Sequence, residues 1–219
     1  MATTIEHYRG DSGAVTCHVE DAAAANYDLS AATKATLSVK KLETDTTYQF
    51  QVSATIPITP GTDGNVTFNL EPYHTDAISA PTGMALAEDS GTLAAGDYYY
   101  RVSAVNWRGE TAPCAEDTIA ADPDTGVKIT WNAVDGSTYY KIYGRAAGAE
   151  LLMATVPADL LEWIDNGSVT PSGAMPVANT TGMTPDEYYY DVEIQWASGA
   201  TIYTACKGTF DLLYDITRP

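Results

Sequence analysis

Positive charge is what this sequence has least of. Its 219 residues carry 11 Lys and Arg against 29 Asp and Glu, a formal net charge of −18. A surface of that sign repels nucleic-acid phosphates and lacks the basic footprint that DNA or RNA binding needs, so no nucleic-acid partner is expected. The acids are scattered rather than gathered in blocks, which suits solubility at high copy number better than a cation site. No apolar run approaches the roughly 18 residues of a membrane span, so no membrane partner is expected. The first residues, Met1-Ala2-Thr3-Thr4-Ile5-Glu6-His7, lack the basic-then-apolar layout of a secretory signal. The protein is therefore expected to stay where it is made until it is assembled into something larger.

Cysteine and histidine are just as sparse. Cys17, Cys114 and Cys206 make an odd count with no Cys-x-x-Cys. Buried thiols in a reducing compartment are expected ahead of a disulfide framework, with a Cys17–Cys206 bridge as the alternative because both fall in one domain. His7, His18 and His74 share no metal-ligand spacing, so no zinc site is expected. Asp122-Pro123-Asp124-Thr125-Gly126 hints at a calcium loop, but its twelfth position is Ala133 rather than an acid, and the stretch reads as a surface loop. The phosphate-loop, nucleophile-elbow, zincin and dinucleotide fingerprints are all missing, and nothing singles out a catalytic pair among the acids. The chain is accordingly read as non-enzymatic, with no catalytic residue, no metal and no cofactor. Arg9-Gly10-Asp11 reads as a turn beside the first strand, and the Asn-x-Ser/Thr triplets at Asn65, Asn166 and Asn179 as chance matches.

What is abundant is tyrosine: 15 against 3 phenylalanines. Threonine and valine are plentiful, and Gly, Pro, Asn and Asp punctuate at short intervals, the texture of an all-β protein of many short strands. The patterns predict strands over residues 5–8, 14–19, 36–42, 48–56 and 66–70. Tyr98–Asn106, Val127–Trp131, Tyr139–Tyr143 and Leu151–Val156 follow, then Tyr188–Ile194 and Thr209–Tyr214. Along Tyr188–Ile194, Tyr188, Tyr190, Val192 and Ile194 share one face, while Tyr189, Asp191 and Glu193 share the other. Only Pro157–Trp163 suggests a helix, of one or two turns. Thr170–Pro176 reads as a Pro/Gly-rich exit linker. Asp97-Tyr-Tyr-Tyr-Arg-Val is echoed by Glu187-Tyr-Tyr-Tyr-Asp-Val, with Trp107 and Trp196, then Cys114 and Cys206, behind them. Two β-sandwiches of similar construction follow, one inserted in the other: residues 1–78 plus 178–219 form a split outer domain, and 79–177 the guest with its exit linker.

Family resemblances agree with that division. Ala80-Pro81-Thr82-Gly83, Gly96 through Asn106 with Gly109-Glu110, Ile129-Thr130-Trp131 and Tyr140 through Arg145 resemble a fibronectin type III domain of the kind common in bacteriophage proteins. Trp131 follows the Tyr-x-Val strand instead of preceding it, which implies a rearranged strand order. The outer pieces resemble the immunoglobulin-like domain at the N-terminus of phage upper baseplate proteins. That resemblance rests on Tyr8–Asp11, Ala35–Lys41, Gly64–Leu70, Tyr188–Ile194, and Lys207–Phe210 running on to Ile216–Arg218.

The resemblance implies a bacteriophage virion structural protein, assembled in the host cytoplasm. Its partners would be other capsid, tail or baseplate subunits, with self-association set by particle symmetry. The alternative is a carbohydrate- or receptor-binding module displayed on the virion, with a surface glycan as partner. Two tyrosines of each triplet continue into the core face, which leaves Tyr99 and Tyr189 as outward contact candidates. Asp215, Ile216 and Arg218 form a candidate docking tail.

Overall fold

The computed structural model describes residues 3–20, 23–196 and 201–215. Fourteen strands lie among them. In chain order these are Thr3–Tyr8 (β1), Gly13–His18 (β2), Ala32–Lys40 (β3), Phe50–Ser53 (β4), Asn65–Leu70 (β5), Ala85–Leu93 (β6) and Gly96–Val105 (β7). Asp117–Ala121 (β8), Thr125–Thr130 (β9), Tyr139–Arg145 (β10), Leu151–Pro157 (β11), Glu162–Asp165 (β12), Asp186–Trp196 (β13) and Thr201–Leu213 (β14) complete the set. The fold is an all-β sandwich architecture in two compact units. One comprises Met1–Asp76 and Met183–Pro219, the other Ala77–Gly182.

In the discontinuous unit a five-stranded sheet, ordered β1-β14-β13-β3-β4, packs on a two-stranded sheet of β2 and β5. The alternation along β13 explains its central place. Tyr188, Tyr190, Val192 and Ile194 are all buried, so the strand offers one continuous apolar face. It pairs antiparallel with β14 on one side (Tyr188↔Phe210) and β3 on the other (Val192↔Leu37). The first strand joins the far side of β14 in parallel, with Ile5 opposite Phe210. The sheet is therefore built from both ends of the chain. The chain leaves and re-enters this unit side by side, where the Met183 N–H donates to the Thr75 carbonyl at 2.9 Å. The Arg9-Gly10-Asp11 turn packs nearby: buried Gly10, with φ of 79°, donates its N–H to Thr75 Oγ1.

The continuous unit pairs a four-stranded sheet, β11-β10-β7-β8, with a three-stranded sheet, β12-β9-β6. Tyr100, Val102 and Ala104 of β7, Ile129 of β9, and Tyr140 and Ile142 of β10 are buried in its interior. The first tyrosine of each triplet is fixed the same way. The Tyr98 hydroxyl donates to the Ala94 carbonyl at 3.0 Å and the Tyr188 hydroxyl to the Thr184 carbonyl at 2.7 Å, each four residues upstream. The echo runs on through buried Val102 and Val192 and ends at the tryptophans. Trp107 is 61% exposed whereas Trp196 is half-buried against Tyr27.

Several expectations need correction. No helix forms over Pro157–Trp163: the chain turns at 158–159 and runs into β12, with Leu160 and Leu161 facing solvent. The stretch 170–176 is no free linker, because Ser172, Gly173 and Ala174 pair along β11 through Leu151 and Leu152. Residues 179–181 belong with the continuous unit. The Asn179 amide donates to the Ile78 carbonyl, and Thr181 Oγ1 accepts the Ile78 N–H. Strands β6 and β8 were not foreseen, and β4 is shorter than the run over 48–56. The three cysteines are not all thiols. Cys17 of β2 and Cys206 of β14 form a disulfide across the two sheets with Cα atoms 6.6 Å apart, while Cys114 is free.

Candidate functional site

The outward face of the five-stranded sheet holds a hollow over β13 and β14. Strand pairing sets its side chains in rows. Lys40, Tyr189, Thr209 and Thr4 lie in one row across β3, β13, β14 and β1. Ser38, Asp191 and Lys207 form the next. The register slips one residue on, where Val192 opposes Cys206 but Glu193 opposes Thr204, so Ala205 is an extra residue on β14. Such a bulge bends its strand and re-aims the flanking side chains. The result is a hollow of about 700 Å³ in which Ala205 and Gly208 add little bulk and Tyr189 presents a half-buried ring.

The charges around it are matched. Lys40 Nζ lies 3.5 Å from Asp191 Oδ2, and Lys207 Nζ lies 3.1 Å from Glu43 Oε1. Lys40 also stands over the Tyr48 ring, 5.2 Å from its centroid. The Lys207–Glu43 pair is well exposed and contributes little to stability. Its value to a ligand is as a set of donors and acceptors that are not tied up in the interior. A second hollow, about 660 Å³, lies on the outer face of β2 and β5 and is lined by Thr16, Asn65, Thr67 and Asn69, by Asp63, and by residues 54–55 and 57–60. It carries hydroxyls, amides and one carboxylate but no aromatic ring.

In the continuous unit the polar groups serve the interior. The Asp165 carboxylate, fully buried, accepts bonds from the Tyr100 hydroxyl at 2.8 Å, from the Arg145 guanidinium at 2.6 and 2.5 Å, and from the Gly167 N–H at 3.0 Å. Burial, aided by the Asp165 charge, pushes the Tyr100 phenol far above its ordinary value, so it stays a donor. Glu110 ties β7 to β10, accepting from Ser103 Oγ at 2.5 Å, Tyr143 OH at 2.6 Å and Lys141 Nζ at 2.6 Å. Burial alone would raise the Glu110 carboxyl. The three donors outweigh it and hold the group below the usual carboxylate range. A serine, a carboxylate and a lysine thus meet, but Ser103 is sealed from solvent and its hydroxyl proton is committed to Glu110, so the cluster is a brace between strands.

Tyr99 and Tyr189 both lie half-buried on the outward faces of β7 and β13, one in each unit. Tyr189 lines the larger hollow. Tyr99 sits between Thr118 and Arg145 on neighbouring strands. Asp215 is half-buried just past β14, while Ile216 and Arg218 lie outside the described residues. Among the described residues no group of three or more His, Cys, Asp or Glu side chains could hold a metal ion, and no helix is long and apolar enough to cross a membrane. Lys40, Asp191 and Lys207, which frame the Tyr189 hollow, were not singled out by sequence. Their convergence depends on the register of β13 between β3 and β14, and on a bulge that no residue type announces. No family model, curated protein or solved structure matches this chain.

Proposed function

We propose that this chain is a non-enzymatic bacteriophage virion structural protein. In this reading the discontinuous unit docks on a capsid, tail or baseplate, and the continuous unit is the accessory module it carries. The observation that carries the reading is how the discontinuous unit is assembled. The stretches that resemble the phage baseplate immunoglobulin-like domain are far apart in sequence, yet they fall on β3, β5, β13 and β14 of one sandwich with one apolar interior. The chain crossings at Thr75 and Met183 lie together, which suits a module carried on a surface turn. Among the described residues, β4 pairs only with β3, and β2 only with β5. Free edges of this kind are where a symmetry-related neighbour or another subunit adds.

Mass spectrometry of density-purified particles of the encoding phage tests the assignment. The protein should be present at a fixed copy number and should rebind, as purified recombinant chain, to particles stripped of it. Hundreds of copies would place it on the head, and tens or fewer on the tail or baseplate. Its absence from purified particles would overturn the reading.

A further inference from the structure

We propose that the hollow over β13 and β14 is a binding site for a neutral oligosaccharide, with the Tyr189 ring as the platform against which one sugar face stacks. The inference rests on the geometry of that hollow and does not depend on a virion role.

Three observations point to that ligand class. The first is size and composition. At about 700 Å³ the hollow falls within the range of small-ligand sites, and it combines an aromatic face with hydroxyl and charged side chains at its margin. In its row Tyr189 is flanked by Lys40 on β3 and Thr209 on β14, and Thr209 Oγ1 lies 3.0 Å from Thr4 Oγ1. A tyrosine ring turns about only two side-chain bonds, so it loses little freedom when a ligand settles on it.

The second is charge. The chain as a whole is strongly acidic, at −18. At this hollow each of the two ammonium groups has a carboxylate partner, Lys40 with Asp191 and Lys207 with Glu43. Among the described residues that line it, no unpaired cation is offered to an anionic ligand, and no unpaired carboxylate to a cationic one. A neutral polyol suits such a site. Its hydroxyls can donate to Asp191 and Glu43 and accept from Lys40 and Lys207, without either ion pair being separated from its partner.

The third observation decides against the obvious competitor, an extended peptide. Strand β1 covers β14 only from Gly208 to Leu213, so the neighbouring edge of β14 carries no strand among the described residues. The extra residue at Ala205 interrupts that edge. Bulged edges are poor templates for strand addition, so recognition here falls to side chains on the face rather than to the backbone at the rim.

The test uses the isotope-labelled full chain titrated with neutral hexasaccharides of glucose (α- and β-linked), mannose and N-acetylglucosamine, and in parallel with sialyllactose, a heparin hexasaccharide and an unstructured polar peptide. At least one neutral hexasaccharide should shift backbone resonances at 189–191 and 204–209 at up to about 10 mM, a weak affinity of about −3 kcal/mol. Tyr189→Ala should weaken that binding by about tenfold or more, equivalent to about 1.4 kcal/mol. Asp191→Asn, which keeps the shape of the hollow, should weaken it as well, and Tyr99→Ala in the other unit should leave it unchanged. Thermal melts of the three variants separate lost binding from lost folding. The proposal is overturned if none of the neutral sugars shifts those residues, if the charged sugars or the peptide bind there in their place, or if a folded Tyr189→Ala chain binds as the wild type does.

Discussion

His7 shows how much of this molecule's pH response can sit on one side chain. It lies on the inward face of β1, 8% exposed, with its ring 5.9 Å from that of Phe210 and its Nε2 3.1 Å from the Asp11 carbonyl oxygen. Burial lowers its pKa from the usual histidine value, and the Asp11 carbonyl and carboxylate oppose that shift without cancelling it. A folded value below the unfolded one means that the unfolded chain takes up the proton first as the medium is acidified. The stability contributed by neutral His7 is therefore intact above the unfolded value of about 6.5 and shrinks as pH falls from there towards the folded value. Glu110 also loses its contribution in acid, but in a lower window. Its depressed carboxyl stabilises the continuous unit above the ordinary glutamate range, and that help disappears only as pH falls through the folded value. The two groups thus report on different units at different pH. Urea unfolding of the discontinuous unit at about pH 7.5 and about pH 5.5 should show a lower midpoint in acid, and His7→Gln should flatten that difference. Parallel profiles for the two proteins would remove His7 from the account.

At the scale of strands, the two sheets of the discontinuous unit are joined by more than packing. The Cys17–Cys206 bridge links β2 of one sheet to β14 of the other, across 189 positions of sequence. A cross-link closing so long a stretch restricts the unfolded chain, and removing a native disulfide costs about 2–5 kcal/mol in small domains. Cys206→Ser should lower the unfolding free energy of this unit by an amount in that range. A non-reducing peptide map should show one linked pair, Cys17 with Cys206, and one alkylatable thiol, Cys114, whose pKa burial pushes up. Three alkylatable thiols in protein purified without reductant would contradict the bridge. No spacing in the sequence could have fixed this pairing, because it depends on which strands face each other. Alternation, by contrast, was readable wherever bulky residues recur at every second place: Tyr188 to Ile194, Val66 to Leu70 and Tyr98 to Ala104 declare their inward faces. Strand β6 was missed because Ala85-Leu86-Ala87-Glu88-Asp89-Ser90-Gly91 offers almost no bulk to alternate, and the ladder with β9 holds it instead. The expected helix at Pro157–Trp163 does not form because the chain turns at 158–159 and Leu160 and Leu161, which follow the turn, stay exposed, so no buried apolar face is there to hold a helix. The Tyr189 hollow was legible only as one outward tyrosine, since its other members come from three strands and the loop after β3.

At the scale of the whole chain, the question is whether the discontinuous unit can stand without the continuous one. Strands β13 and β14 supply it with six buried side chains, Tyr188, Tyr190, Val192, Ile194, Phe210 and Leu212. At about 1.5–3 kcal/mol each, their burial is worth about 9–18 kcal/mol. That is comparable with the whole net stability of an ordinary domain, about 5–15 kcal/mol. The first 76 residues cannot replace it, and without β13 the long edge of β3 would lie open to aggregation. Excision is a different matter. Thr75 and Met183 are already hydrogen-bonded, so removing Ala77–Gly182 and joining the ends through a short glycine-containing turn leaves every ladder of the five-stranded sheet in place. The excised protein should be soluble and melt cooperatively with dispersed amide resonances, whereas a chain ending at residue 176 should be insoluble or unfolded in its N-terminal part. If the shortened chain 1–176 melted cooperatively in that part with the midpoint of the full-length protein, β13 and β14 would not be integral to the N-terminal sandwich, and the docking role proposed for that unit would have to be abandoned.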